Sequence, residues 1–251
     1  MDAYAQYARA RRTRPLGLSN RRLAAMLGDF VYETSSAEDE SRRYLEILYD
    51  RGMQVLGDRD VEHLERFTSE HNRDKRRANG VEEEYFSWGR VDGLTLKIIR
   101  ASTRLLAGSD ADSKANAVAL DRMFVTTKAL RAFRNRVAHR TPSDGGGRLH
   151  FYRDGSNSVT PREIWGWTEV AASYWSNVAS ITNAISVTTG VVTPASTVMR
   201  DASPLQWPPP GISIHGLRVI QRSGISVPEH MLRQAQAEWI GMTRRWRLPR
   251  G

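Results

Sequence analysis

The sequence predicts an all-α protein, and three observations carry that expectation. Apolar residues step by three and four along most of the 251 residues, the spacing of one helix face. Helix-starting residues, such as Ser19, Ser226 with Glu229, and Pro161 with Glu163, stand ahead of those runs. Only one short stretch, around His150 to Tyr152, reads as a two-stranded turn. No internal repeat is present.

Residues 1–18 read as an irregular basic arm, and Ser19 as the cap of a short helix with Leu23, Met26, Leu27, Phe30 and Val31 on one face. "SSAEDESRR" then opens a second helix, because acids in a first turn complement the macrodipole. Leu45, Leu48 and Leu56 line its apolar side and Gly57 ends it. Asp58 or Asp60 caps a polar helix carrying Val61, Leu64 and Phe67, and "HNRDKRRANG" follows as a charged loop or fraying end. From Val81 to Leu106 the stripe Val91, Leu94, Ile98, Ala101 and Leu105 predicts a long helix, in which Gly89 and Gly93 would permit a close crossing.

A further helix is expected over roughly 112–140, with Leu120, Phe124, Leu130, Phe133 and Val137 in the core. After a Gly-rich loop, Pro161 and Glu163 begin the clearest helix of the chain. Its stripe is Ile164, Trp167, Ala171, Tyr174, Val178, Ile181 and Ile185. The proline-rich residues 191–211 read as a linker. Leu232, Ala235, Trp239, Met242 and Trp246 mark a last helix. The expected organisation is therefore a basic arm and short helix (1–35), a helical domain (36–190), a linker (191–211) and a helical appendage (212–251).

Composition narrows the function classes. Hydrophobic content of 40% and charged content of 26% are globular values. With no cysteine, neither a disulfide framework nor a thiolate metal site can form. No apolar run approaches the roughly 20 residues that span a bilayer, and no apolar core follows the basic start as in a signal peptide, so no membrane association and a cytoplasmic location are expected. The formal charge of +9 suggests a polyanionic partner. Only four of the 37 basic residues are lysines, however, and such an arginine skew often follows codon composition. Charge by itself is therefore modest support for nucleic acid.

The chain contains no GxxxxGK[ST], no GxGxxG after a strand and no HExxH, and its histidines lack ligand spacing, so neither metal nor cofactor is expected. One stretch stands out, "RAFRNRVAHR" at 131–140. Arginine can clamp a phosphate, and histidine can move a proton near neutral pH. The bare spacing Arg-x4-His means little. Four lysines among 37 basic residues leave 33 arginines, and with six histidines chance gives on the order of 0.8 matches. The chain holds two, Arg134 to His139 and Arg66 to His71.

Context separates them. Asn135 follows the first arginine, and it shares a helix face with His139 four residues on. Arg131 lies one turn earlier on that face, whereas Arg134 lies about 140° around from His139. Leu130, Phe133 and Val137 would point to the core. The second match lies in a charged run and reads as a solvated face.

"LRAFRNRVAHR" resembles the R-N-x-x-A-H signature of the HEPN superfamily, the helical domains of many prokaryotic toxins and phage-defence ribonucleases. The strict match covers about ten residues, and the helix arrangement fits that family's bundle over roughly 36–190. The resemblance implies a HEPN-like bundle and a metal-independent endoribonuclease site, completed across a homodimer, with Arg134, Asn135 and His139 as its catalytic set. Cleavage would proceed by 2′-hydroxyl attack, with His139 moving protons and Arg134 stabilising the phosphorane. Arg131, Arg136 and Arg140 would line a groove for RNA, and the tryptophans of the last two long helices (Trp167, Trp175, Trp239, Trp246) would supply dimer contact. The C-terminal helix is the expected surface for an antitoxin or other partner. Thr141 stands where the subgroup paired with nucleotidyltransferase antitoxins has a tyrosine, so control through such a tyrosine is not implied. A non-catalytic nucleic-acid or nucleotide-binding module of the same family remains the alternative.

Overall fold

The computed structural model describes residues 20–68, 87–103, 109–138, 142–145, 148–151, 158–189 and 205–247. Among these are eight helices: α1 (Asn20–Ile47), α2 (Tyr49–Val55), α3 (Asp58–Thr68), α4 (Trp88–Ala101), α5 (Asp110–Ala138), α6 (Pro161–Thr188), α7 (Ile214–Arg222) and α8 (Glu229–Arg247). The fold is all-α in class. A small antiparallel sheet, β1 (Pro142–Gly145), β2 (Arg148–Phe151) and β3 (Ser158–Val159), is its one addition among the described residues. Ser143 pairs with His150 and Leu149 with Val159. The Gly-rich segment expected as a loop with a two-stranded turn thus holds three strands.

The chain forms two compact units, each drawn from several stretches of sequence. One comprises the described parts of Met1–Thr34, Val125–Ser173 and Pro208–Gly251; the other comprises those of Ser35–Phe124 and Tyr174–Trp207. This division cuts across the one expected from composition. Helices α1, α5 and α6 each contribute residues to both units.

In the second unit, α2 lies against α3 and α4 at Gly52, where a methyl group would overlap Leu64 and Ile98. Leu45, Leu48, Leu64, Val91, Ile98 and Met123 are fully or almost fully buried there. Val91, Leu94 and Ile98 lie inside as expected, whereas Ala101 is exposed. Gly93 has open space where a side chain would be, so it marks no close crossing. Residues 69–86 and 104–108, which include the charged run and Leu105, lie outside the described residues.

The break expected ahead of "SSAEDESRR" does not exist, because α1 runs through it without interruption. No glycine or proline interrupts that segment. Thr34 and Ser41 instead turn their hydroxyls back onto the carbonyls of Phe30 and Ala37, at 2.9 and 2.6 Å. Phe30, Ala37, Leu45 and Leu48 then form one buried face across the expected boundary.

Two further corrections concern the core. Phe124 is 42% exposed, because the inward stripe of α5 passes through Leu120, Met123, Leu130 and Phe133 instead. The proline-rich stretch, from 205 on, is not a free linker. Trp207 is buried, its carbonyl accepts from Arg122 at 3.4 Å, and the Leu205 amide donates to Asn116 Oδ1 at 2.6 Å. All seven stripe residues of α6 are buried as expected. Thr160 and Glu163 close a capping box at its start, each side chain accepting from the other's amide at 3.2 and 3.0 Å.

The C-terminal residues dock on the body of the chain through α7, a helix absent from the expected set. Ser213 caps it by accepting from the His215 and Gly216 amides. The same hydroxyl donates to Glu169 of α6, whose other oxygen accepts from Trp165 Nε1 at 2.9 Å. At Gly166 the two helices touch so closely that a Cβ would lie 2.5 Å from the His215 carbonyl oxygen. Arg222 adds an ion pair with Glu163 at 2.5 Å.

Candidate functional site

The end of α5 is held by its inward side. Leu130 and Phe133 are 0% and 1% exposed. The Phe133 ring meets Phe30 edge-on at 5.1 Å and stacks on Trp167 at 5.6 Å. Two aromatic neighbours fix the rotation of the helix, and with it the direction of every other residue in that turn. Arg131 and Arg134 are consequently half-buried, and Asn135 and Arg136 exposed.

Within this turn Arg134 Nη1 donates to Asn135 Oδ1 at 3.3 Å. The amide therefore lies beside the guanidinium. The Arg136 guanidinium carbon lies 5.4 Å from the Phe133 ring centre, within cation–π range. Arg136, in the last turn, also complements the partial negative charge of a helix C-terminus. Guanidinium groups of this kind are suited to a phosphate-bearing ligand.

His139, Arg140 and Thr141 lie outside the described residues, so three of the positions singled out in the sequence have no geometry here. Of the second Arg-x4-His match only the arginine is described. Arg66 is about half exposed and pairs with Glu62 one turn back, while His71 is outside the described residues.

Two of the tryptophans expected at a dimer surface, Trp167 and Trp239, are engaged within the chain. Trp167 is buried against Phe133, and Trp239 lies edge-on to both Trp165, at 6.0 Å, and His215, at 4.6 Å.

His215 itself was not anticipated. It is 4% exposed, and its Nε2 has no hydrogen-bond partner among the described residues. Burial, with added repulsion from Arg162 and Arg218, lowers its pKa from 6.5 to about 4, so the ring is neutral at physiological pH. The only sequence signal for this corner was Ser213 standing before Ile214, Leu217 and Ile220 at helical spacing.

A second ionic cluster surrounds a cavity of about 530 Å³ at the start of α3, where Asp58 and Asp60 interleave with Arg59, Arg90 and Lys97. Lys97 is already bound to Asp60 at 2.6 Å, so the carboxylates offset much of its appeal to an anion. Among the described residues no group of three His, Asp or Glu side chains could hold a metal ion, and no helix is long and apolar enough to cross a membrane. No protein-family model, curated protein or solved structure matches the chain.

Proposed function

We propose that the protein is a metal-independent endoribonuclease of the toxin or phage-defence type, with Arg134, Asn135 and His139 as its catalytic set. The observation that carries this reading is the Arg134–Asn135 pair, held together on a helix end whose opposite side is locked by Phe133. A preoriented guanidinium is what a pentacoordinate phosphorus requires, because its negative charge grows on oxygens a planar donor can meet in pairs. His139 then serves as general base toward the 2′-hydroxyl or as general acid toward the leaving 5′-oxygen, both within reach of an imidazole titrating near neutrality. The adjacent 2′-oxygen attacks phosphorus, the 5′-oxygen leaves with a proton, and a 2′,3′-cyclic phosphate remains. The need for a 2′-hydroxyl selects RNA over DNA.

The reading includes a homodimer acting in the cytoplasm. Helical spacing in the sequence sets Arg134 and His139 about 140° apart, so two copies related by a two-fold axis would complete a clamp that one copy leaves open. Arg131, Arg136 and Arg140 then steer the RNA backbone toward the cleft.

The test uses the purified full chain on total RNA in excess EDTA, beside Arg134→Ala, His139→Ala and the control Arg66→Ala. Cleavage by the wild type and the control, and none by the other two, is expected. Wild-type protein that binds RNA without cutting it, with His139→Ala binding equally well, would establish the non-catalytic binding module instead.

A further inference from the structure

We infer that the groove between α7 and α8 is a docking site for an acidic amphipathic helix of a partner protein. This goes beyond the ribonuclease reading and stands on a different surface of the same compact unit. The groove has a volume of about 420 Å³. Ile214 of α7 and Leu232, Ala237 and Ile240 of α8 give it an apolar lining. Ile240 is 40% exposed, although α8 already settles against its own chain through Ala235 and Trp239. Ile240 extends the apolar arc of α8 beyond Ala235 and Trp239.

The shape fits a helix. Along α8 the lining residues recur at Glu229, Leu232, Arg233, Gln236, Ala237 and Ile240, spacings of one helix face. From first to last they cover about 16 Å at 1.5 Å per residue, three turns. A helix laid in a groove reads such a surface through anchors at i, i+3 or i+4, and i+7.

Charge chooses the partner. Arg218 and Arg233 flank the apolar lining, while Glu229 is the one acid among the described lining residues and sits at the end of the row. Arg218 reaches across from α7 to Gln236 Oε1 at 3.2 Å, which places its guanidinium over the groove. An apolar ridge flanked by Asp or Glu satisfies both features. Single-stranded nucleic acid fits less well, because no aromatic side chain among the described residues lines the groove to stack a base.

The experiment titrates the full-length protein into a fluorescently labelled designed peptide of about four helical turns. The peptide carries leucines at i, i+4, i+7 and i+11 flanked by glutamates, and a twin carries lysines in their place. Fluorescence anisotropy should show saturable binding of the acidic peptide, at least about tenfold weaker binding of the lysine twin, and a loss of about tenfold or more in Ile240→Asp and in Arg233→Glu. Both positions are solvent-exposed, and an unchanged urea midpoint will confirm that the variants are folded. Equal binding of the two peptides, or full affinity in both folded variants, overturns the proposal. So does displacement of the acidic peptide by oligouridine, which would make the groove an RNA site. RNA held only at the Arg134 turn leaves the peptide signal unchanged, so this proposal and the ribonuclease reading can fail separately.

Discussion

Lowering the pH from 7.5 to 5 should cost this protein stability through His215, and substituting that residue should remove the loss. The ring is 4% exposed, its Nε2 makes no hydrogen bond to the described residues, and its pKa in the folded chain is lowered from 6.5 to about 4. The unfolded chain thus takes up this proton near pH 6.5, the folded chain only near pH 4. Stability from this group is complete above pH 6.5 and falls as the pH drops from 6.5 towards 4, where the unfolded state binds more protons. A shift of this size corresponds to about 3 kcal/mol at its limit and about 2 kcal/mol at pH 5. The assay is urea unfolding followed by tryptophan fluorescence, comparing wild type with His215→Leu at pH 7.5 and pH 5. Leucine fills similar space and cannot be protonated, so the remaining histidines cancel in the difference. Wild type should lose about 2 kcal/mol more than the variant between the two pH values. Equal losses in the two proteins would show that His215 is not protonated on unfolding, and the reasoning from its burial would be wrong.

Phe133→Ala should destabilise the fold by about 3–5 kcal/mol, because it empties the space between Phe30 and Trp167, and a urea titration reads the change directly. If activity per folded molecule stays at the wild-type level in that variant, Phe133 does not position Arg134. Glu169→Ala leaves Trp165 Nε1 and Ser213 Oγ without their acceptor and should cost about 1–3 kcal/mol, seen as a lower thermal midpoint. An unchanged midpoint would mean that water replaces the carboxylate at no cost.

How far the sequence foretold the molecule depended on the kind of signal. Period and burial were legible together in α6, where seven apolar residues at helical spacing all lie inside. In α5 the same rule reached Leu120, Leu130 and Phe133 but took Phe124 for Met123, since neighbouring apolar residues leave the phase of a stripe ambiguous. Polar signals misled in α1. Serine and acid runs signal a helix start only when the chain before them is not helical, and here Thr34 and Ser41 bond backward into a helix already formed. Proline content misled at Trp207, because a composition typical of linkers says nothing about a tryptophan that finds a core.

At the candidate site the direction of Leu130 and Phe133 was readable from period, and their burial leaves Arg134 and Asn135 toward the surface. The direct Arg134–Asn135 hydrogen bond was not readable. Adjacent residues on a helix point some 100° apart, and only a long, bent arginine side chain closes that gap. The His215 corner was equally hidden, since it depends on three helices meeting.

The central claim concerns chemistry at Arg134 and His139, and the chemical nature of the cut end tests it most directly. A defined single-stranded RNA is incubated with wild-type protein in EDTA, and the 3′ end of the upstream fragment is identified by mass. The account predicts a 2′,3′-cyclic phosphate, the same result with or without magnesium, and no product when the 2′-hydroxyl at the cleavage site is replaced by hydrogen. A 3′-hydroxyl end, or cleavage that appears only with magnesium and persists in His139→Ala, would contradict it.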